Sequence, residues 1–146
     1  MLAGRMMGQL VREGIRMHTL AYRLTGGLVG GRIPGGPPML LLEHVGAKSG
    51  KKRITPLVYL RDGDDLVIVA SKGGSPHHPA WFHNLRANPD TMVQVGPRRV
   101  PVMAKVASAR ARSRLWPRVV RLYRGYEGYQ KRTRRQIPLV ILAPRG

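Results

Sequence analysis

The sequence predicts a mainly β domain in which short antiparallel strands close into a small barrel flanked by helices. Six apolar runs of five to eight residues recur at regular spacing between residues 38 and 142. Asp62-Gly63 joins two of these runs, and an Asp-Gly pair in that position is typical of a β-hairpin; Gly96-Pro97 joins two more. Several short strands with two or three helices are typical of a small antiparallel barrel. A length of 146 residues suits one domain.

Residues 2–24 predict an amphipathic helix that precedes the barrel. At about 100° per residue its apolar side chains share one face, and its arginines form a stripe beside that face. Two interpretations stay open: the helix packs on the domain with its arginines exposed, or it lies on an anionic membrane surface. A Gly/Pro-rich linker over residues 25–38 follows. We therefore divide the chain into residues 1–37, the helix and its linker, and residues 38–146, the barrel.

The remaining elements follow from local patterns in chain order. Residues 80–87 predict a short helix, and residues 107–123 predict a basic helix that Pro117 kinks or breaks. Gly125 and Gly128 weaken helix formation, so the segment that contains them is expected to be flexible. The predicted strands are 38–45, 53–60, 66–70, 91–95, 100–106 and 138–142.

The charge balance is extreme. The chain has 26 Lys and Arg residues against 7 Asp and Glu residues, a net charge of +19. A field of that sign attracts polyanions, whether nucleic acid, anionic lipid headgroups or phosphorylated small molecules. Specific nucleic-acid binding is disfavoured, because the chain has a single Phe and no matched base-stacking motif on a strand.

The sequence also restricts the compartment and some chemistries. Cysteine is absent, which excludes disulfide bridges, thiol catalysis and thiolate metal sites and fits a reducing compartment. Arg12, Glu13 and Arg16 interrupt the apolar run that a signal peptide needs, and no stretch approaches the ~18 apolar residues of a membrane span. We expect a cytoplasmic protein, either free in solution or peripheral to the inner face of the membrane.

Two Gly-rich turns follow predicted strands and carry cations. In residues 46–53, two glycines stand among Lys48, Lys51, Lys52 and Arg53. Glycines let backbone amides approach an anion, and the cations supply charge-assisted hydrogen bonds to it. The spacing is not that of a Walker loop. An anion-binding turn and a solvated hairpin connection both stay open.

The second turn is Ser71-Lys72-Gly73-Gly74. Ser71 lacks the flanking G-x-S-x-G pattern of a nucleophile, so it either positions a cofactor or caps the turn. His77, His78 and His83 follow, but adjacent histidine rings diverge and no acidic or thiolate ligand lies near them, so we predict no metal site.

Aromatic side chains mark two further places. Trp81 and Asn84 lie three residues apart on a predicted helix and could face one site, although Trp81 as a core residue is the alternative. Tyr123, Tyr126 and Tyr129 recur every third residue. Their phenols either pack as a row or line a pocket and stabilise charge that develops on a reduced substrate.

Six sequence blocks occur in fixed order between residues 38 and 143. They are Gly46-x-Lys48-Ser49-Gly50-x-x-Arg53-x-Thr55-Pro56-Leu57, Leu60-Arg61-Asp62-Gly63, Ala70-Ser71-Lys72-Gly73-Gly74, Pro79-x-Trp81-x-x-Asn84-Leu85-x-Ala87-Asn88-Pro89, Trp116-Pro117 ahead of the three tyrosines, and Ile137-Pro138.

In order and spacing these blocks resemble the deazaflavin-dependent nitroreductases, a branch of the flavin/deazaflavin oxidoreductase superfamily. The resemblance implies an FMN-binding split-barrel-like fold, a split β-barrel, with reduced coenzyme F420 as hydride donor to a small electrophile such as a quinone, nitroaromatic or activated alkene. Lys48, Arg53 and Lys72 would hold the anionic tail of the cofactor. The implied cofactor-binding residues are Lys48, Arg53, Thr55, Pro56, Val58, Val69, Ala70, Ser71, Lys72, Trp81 and Asn84, and the implied catalytic residues are Ser71, Tyr123, Tyr126 and Tyr129.

The chain departs from the family pattern in three places. Glu43-His44-Val45 replaces a Thr-rich strand end, Ala47 replaces an arginine before the loop lysine, and Ala80 is smaller than its counterpart in some relatives. The loss of the arginine is expected to weaken binding of the tail, and Glu43 is expected to point away from it. The same barrel holding FMN, and a basic nucleic-acid-binding module, are the alternatives. The resemblance leaves open whether the protein is a monomer or a homodimer.

Overall fold

A computed structural model describes residues 15–23 and 36–145 of the chain. Six antiparallel strands form a closed barrel in the order β1-β2-β3-β6-β5-β4, and the pairing of β1 with β4 closes it. The predicted antiparallel barrel is confirmed. The strands are β1 (Met39–Val45), β2 (Lys52–Asp62), β3 (Asp65–Val69), β4 (Asp90–Val95), β5 (Arg98–Val106) and β6 (Leu139–Pro144).

Helices cover the outside of the barrel and connect its strands. Residues 15–23 are helical and are called α1 here; residues 2–14 and 24 of the predicted helix and residues 25–35 of the predicted linker lie outside the described residues. The division of the chain at residue 37 therefore stays a prediction. The other helical elements are the 3₁₀ turn Lys72–Gly74, α2 (Ala80–Ala87), α3 (Ala109–Leu122) and α4 (Gly125–Lys131).

Of the kink or break predicted at Pro117, the break is wrong, because α3 runs through this residue; the kink stays a prediction. A proline inside a helix removes one backbone hydrogen bond and crowds the preceding turn. Here Leu115 and Val119, on either side of it, are fully buried against the barrel. Their packing holds both halves of the helix in place and outweighs the local cost of the proline.

The predicted flexible segment around the second and third tyrosines is also wrong, because Gly125–Lys131 forms α4. Tyr126 is buried and anchors this helix. A Cβ atom at Gly125 would lie 2.4 Å from the ring of Tyr123. The glycine at this position therefore permits a close contact between aromatic and backbone atoms.

The core has two layers that share strand β3. Leu66 and Ile68 point into the barrel, whereas Val67 and Val69 point outward toward α3 and α4. Both faces of β3 are buried, which explains its continuous apolar sequence. The interior cluster also contains Trp81, Phe82 and Leu85 of α2, and the outer cluster contains Leu115, Val119, Tyr126, Ile137 and Leu139.

Tyr22 fixes α1 to the barrel. Its side chain is 1% exposed, and its hydroxyl accepts a hydrogen bond from the amide of Gly96 at 2.8 Å. The hydroxyl hydrogen lies within reach of the carbonyl oxygens of Met39 and Gln94, at 3.1 and 3.2 Å. On the same helix, Met17 is 72% exposed. In the described part of the chain, no helix is long and apolar enough to cross a membrane.

Candidate active site

The first Gly-rich turn joins β1 to β2 and closes on itself. The amide of Gly50 donates to the carbonyl of Gly46 at 2.9 Å, and the amide of Gly46 donates to the carbonyl of Lys51 at 2.9 Å. Gly50 has a φ of 69°, a left-handed conformation that glycine adopts without strain. The turn is therefore tight, and the side chain of Lys48 at its tip is exposed.

This turn and helix α2 form the walls of an open cleft of about 770 Å³. In α2, the apolar residues pack into the barrel, which leaves Ala80 and His83 exposed toward the cleft. The small side chain at Ala80 adds to the space there. No carboxylate is among the described residues that line the cleft, which are Gly46, Ala47, Lys48, Ser49, Arg53, Ala80, His83 and Asn84.

Asn84 joins the two walls of the cleft through a buried chain of hydrogen bonds. Its Oδ1 accepts from the amide of Ala47 at 2.9 Å, and its Nδ2 lies 2.9 Å from Nδ1 of His44. Nε2 of His44 lies 2.8 Å from Oγ1 of Thr55 on the neighbouring strand. Burial first, and the charge of Arg53 second, lower the pKa of His44 to about 4. The imidazole is therefore neutral at physiological pH.

Glu43 points away from the cleft and is not unpaired. Its Oε1 lies 2.8 Å from Arg99, 3.3 Å from Lys52 and 3.8 Å from Arg23. In residues 15–23 and 36–145, neither Lys48 nor Arg53 forms an ion pair. The carboxylate thus neutralises cations beside the cleft and leaves the two cations that line it free to bind an anion.

The second Gly-rich turn packs against the end of helix α4. Gly74 has a φ of 81°, and a Cβ atom there would lie 2.6 Å from the carbonyl oxygen of Tyr129. Only glycine allows this approach without a shift of the backbone. Lys72, in the same turn, has a φ of 44°, which is uncommon for a residue with a side chain. The turn thus packs closely against the backbone of the third tyrosine.

Arg135 holds this turn from the segment after α4. Its guanidinium donates to the carbonyl oxygens of Ala70 at 3.1 Å, Ser71 at 2.8 Å and Ser75 at 2.9 Å. It also lies 3.0 Å from Nδ1 of His78. No sequence pattern points to Arg135, because a lone arginine in a strongly basic segment carries no local signal of its partners.

The three tyrosines form one contact group. The hydroxyls of Tyr123 and Tyr129 lie 3.2 Å apart, and the ring centroids of Tyr123 and Tyr126 lie 4.9 Å apart. The hydrogen bond with Tyr129 raises the pKa of Tyr123, and burial raises the pKa of Tyr126. Both of these phenols therefore stay protonated at neutral pH.

The predicted site residues fall into three groups. Lys48, Arg53 and Asn84 share the cleft. Ser71 and Lys72 lie in the turn that contacts α4 and its tyrosines, and Lys72 is not among the residues that line the cleft. Of the rest, Thr55, Pro56 and Val58 are half-buried on β2, and Val69 of β3, Ala70 after it and Trp81 of α2 are buried. The three tyrosines lie at the end of α3 and on α4. The roles of all these residues stay predictions.

The histidines that follow the second turn separate in the structure. His78 contacts the ring of Phe82, with centroids 4.7 Å apart, and His83 lines the cleft. Within the described ranges, no three His, Asp or Glu side chains are grouped so that they could hold a metal ion.

Comparison with known proteins identifies relatives over nearly the whole chain. A family model described as F420H(2)-dependent quinone reductase matches residues 14–144. An F420H(2)-dependent quinone reductase of Mycobacterium tuberculosis is 49% identical over 134 residues, which are 90% of this chain and 90% of the relative.

Solved structures give the same relationship. The structure of an F420-H2 dependent reductase is 40% identical, with a TM-score of 0.67, and covers 72% of this chain and 93% of its own. A second structure, described as a domain-swapped dimer, is 36% identical, with a TM-score of 0.70, and covers 92% of this chain and 98% of its own.

Proposed function

Since this chain belongs to the F420H(2)-dependent quinone reductase family, we propose that it is an oxidoreductase that reduces a quinone with reduced coenzyme F420. Besides membership of this family, the observation that supports the proposal is the cleft beside the first Gly-rich turn. Lys48 and Arg53 line it, no described carboxylate does, and its volume is about 770 Å³. A cleft of this charge suits a polyanionic tail.

The residues present fit the coenzyme that the family uses. The tail of F420 carries phosphate and glutamate groups, and ammonium and guanidinium groups bind such oxygens through charge-assisted hydrogen bonds. Lys48 and Arg53 would hold this tail. Lys72 lies in the second turn and outside this cleft, so its predicted contact with the tail stays a prediction. Since neither Lys48 nor Arg53 forms an ion pair among the described residues, no ion pair must be broken before they bind the tail.

When bound, the reduced coenzyme supplies a hydride, and the chain supplies binding, orientation and proton donors. Arg135 fixes the carbonyls of Ala70 and Ser71, so it holds the turn that would lie beside the ring. Tyr123 and Tyr129 present linked hydroxyls. A protonated phenol donates a hydrogen bond to the quinone oxygen on which negative charge develops, and a phenol or water delivers the proton that completes the hydroquinone.

A comparative titration tests this proposal. The purified protein is titrated with F420, FMN and FAD, and each reduced cofactor that binds is then offered a quinone, a nitroaromatic and an activated alkene. We expect selective binding of F420 and quinone-dependent oxidation of its reduced form. Tight binding of FMN with no binding of F420 would instead support an FMN-binding oxidoreductase. Nucleic-acid binding that survives moderate salt would support a basic nucleic-acid-binding module.

We also propose that α1 contacts an anionic membrane surface. Met17 and Leu20 are 72% and 57% exposed, and Arg16 and Arg23 lie beside them on the same helix. Exposed apolar groups next to cations suit an interfacial position. We expect the parent protein to co-sediment with anionic vesicles and not with zwitterionic ones. A Met17→Ser/Leu20→Ser variant is expected to lose the co-sedimentation with anionic vesicles. Equal recovery of the parent protein and the variant with anionic vesicles would contradict it.

Cytoplasmic localisation and a monomeric or homodimeric state remain proposals. One solved relative is described as a domain-swapped dimer. Light scattering over a range of concentrations would distinguish a monomer from a dimer for this chain.

A further inference from the structure

The buried hydrogen-bond chain from Ala47 to Thr55 has a defined direction. The amide of Ala47 is a donor, so its partner on Asn84 must be the carbonyl oxygen Oδ1, at 2.9 Å. The NH₂ group of Asn84 then faces Nδ1 of His44 at 2.9 Å, and this nitrogen must accept. A fixed backbone amide therefore sets the orientation of both side chains.

The direction of the chain fixes the tautomer of His44. A neutral imidazole has one N–H, and with Nδ1 as acceptor this hydrogen lies on Nε2. Nε2 therefore donates to Oγ1 of Thr55 at 2.8 Å. The lone pair of Thr55 that faces the histidine is occupied, and its own hydroxyl hydrogen is left to donate elsewhere.

The position of Thr55 beside a cleft allows its hydroxyl hydrogen to bond to a ligand. Thr55 is half-buried on β2, and with Lys52 and Arg53 it lines a cleft of about 540 Å³ between β2 and α1. Arg53 lines this cleft and also the cleft beside the first Gly-rich turn. Thr55 and Arg53 are two positions apart on β2, so their side chains lie on the same face of the strand and Thr55 neighbours a cation that is common to both clefts.

At its other end, the hydrogen-bond chain holds the first Gly-rich turn in place. Asn84 binds the turn at Ala47, one residue before Lys48. His44 is 4% exposed and Asn84 is 8% exposed, so neither side chain exchanges its partners readily with water. The position of the lysine therefore depends on the orientation of Asn84, which depends on His44.

We propose that His44 is a positioning residue for the anionic tail of the cofactor. As the Nε2–H tautomer it orients Asn84, which holds the Gly-rich turn, and it orients Thr55 as a hydrogen-bond donor to a phosphate or carboxylate oxygen beside Arg53. The inference rests on the proposed function, because that function supplies the anion. His44 belongs to the segment Glu43-His44-Val45, which stands where the resemblance implies a Thr-rich strand end, and the proposal assigns a role to this difference.

Three substitutions of His44 distinguish its hydrogen bond to Asn84 from its hydrogen bond to Thr55. His44→Asn keeps an acceptor near the position of Nδ1, His44→Gln keeps a donor near the position of Nε2, and His44→Leu keeps neither. His77→Leu is the matched control, because His77 is exposed and the only hydrogen bond that it makes among the described residues uses its backbone amide.

The measurements are the tautomer of His44 by nitrogen NMR, the exchange rate of the Ala47 amide, and the dissociation constant for F420. In the cofactor-free protein we expect the Nε2–H tautomer. We expect His44→Leu to speed Ala47 exchange at least ~10-fold and to weaken F420 binding about 10-fold, as loss of a hydrogen bond to a charged group does. His44→Asn is expected to keep Ala47 protected, whereas His44→Gln exposes it, and the control matches the parent protein.

The outcomes that overturn the inference differ from those that overturn the function. An Nδ1–H tautomer in the parent protein, or Ala47 exchange that is unchanged in His44→Gln, would overturn the positioning role, and neither measurement requires cofactor. Unchanged F420 affinity in all three variants would overturn the link to the tail. Failure of the parent protein to bind F420 would overturn the proposed function, while the tautomer and the exchange rates still decide whether His44 orients the turn.

Discussion

Lowering the pH from about 7 to about 5 is expected to destabilise the fold through His44, because this residue is buried in its neutral form. Burial and the charge of Arg53 lower its pKa to about 4 from the ordinary value of 6.5. In this window the unfolded chain binds a proton that the folded chain does not. The contribution to stability is therefore complete above about 6.5, falls as the pH drops through the window, and levels off below about 4.

The magnitude follows from the gap between the two pKa values. The whole gap corresponds to ~3 kcal/mol at ~1.4 kcal/mol for each pKa unit, and about 2 kcal/mol of this is lost between pH 7 and pH 5. Burial and Arg135 also lower the pKa of His78, so the loss in the parent protein contains more than one contribution. A difference between variants isolates His44.

Urea denaturation at several pH values provides the assay. The free energy of unfolding is compared between the parent protein and His44→Asn, with His77→Asn as the exposed control. We expect the parent protein and the control to lose about 2 kcal/mol more than His44→Asn between pH 7 and pH 5. Parallel curves for the parent protein and His44→Asn would refute the conclusion that His44 is buried and neutral.

Three further results are expected. In chemical denaturation, Gly74→Ala should destabilise the protein more than Gly73→Ala, by roughly 1–3 kcal/mol. Both glycines have a positive φ, but only at Gly74 would a Cβ atom lie against Tyr129. Equal losses of stability would contradict the close packing. Hydrogen bonds from Arg114 and Arg118 lower the pKa of Asp62 to about 2. The parent protein should therefore lose more stability than Asp62→Asn as the pH falls from about 4 to about 2, and an equal loss in both would exclude a contribution from this contact. Tyr129→Phe should lower quinone turnover by about 100-fold, the lower end of the effect of a positioned proton donor, without changing F420 affinity. An unchanged kcat would mean that this phenol takes no part in the reaction.

Local patterns in the sequence predict the strands and the short helix because each depends on neighbouring residues. The alternation of turn residues and apolar runs places all six strands, and residues 80–87 form a helix with the predicted bounds. The predicted helix break at Pro117 and the predicted flexible segment at Gly125 are wrong because the helix-breaking tendency of these residues is smaller than the stabilisation from burial of their neighbours. Leu115, Val119 and Tyr126 supply that burial, and the sequence alone does not identify their partners.

The candidate site is predicted only in part, for a related reason. Lys48 and Arg53 stand close together in the sequence, so their cluster is visible there. His44 and Asn84 are 40 positions apart, and Arg135 is 64 positions from Ser71. Such pairs depend on how the barrel closes, and a single sequence carries no signal for them.

The affinity for F420 of two double variants with the same net charge tests the central claim most directly. Lys48→Ala/Arg53→Ala removes both cations that line the cleft, whereas Lys105→Ala/Arg110→Ala removes two exposed cations that do not line it. At low salt, we expect the first variant to bind F420 at least ~10-fold more weakly than the second. Equal affinities of the two variants would mean that overall charge attracts the coenzyme and that this cleft does not hold its tail.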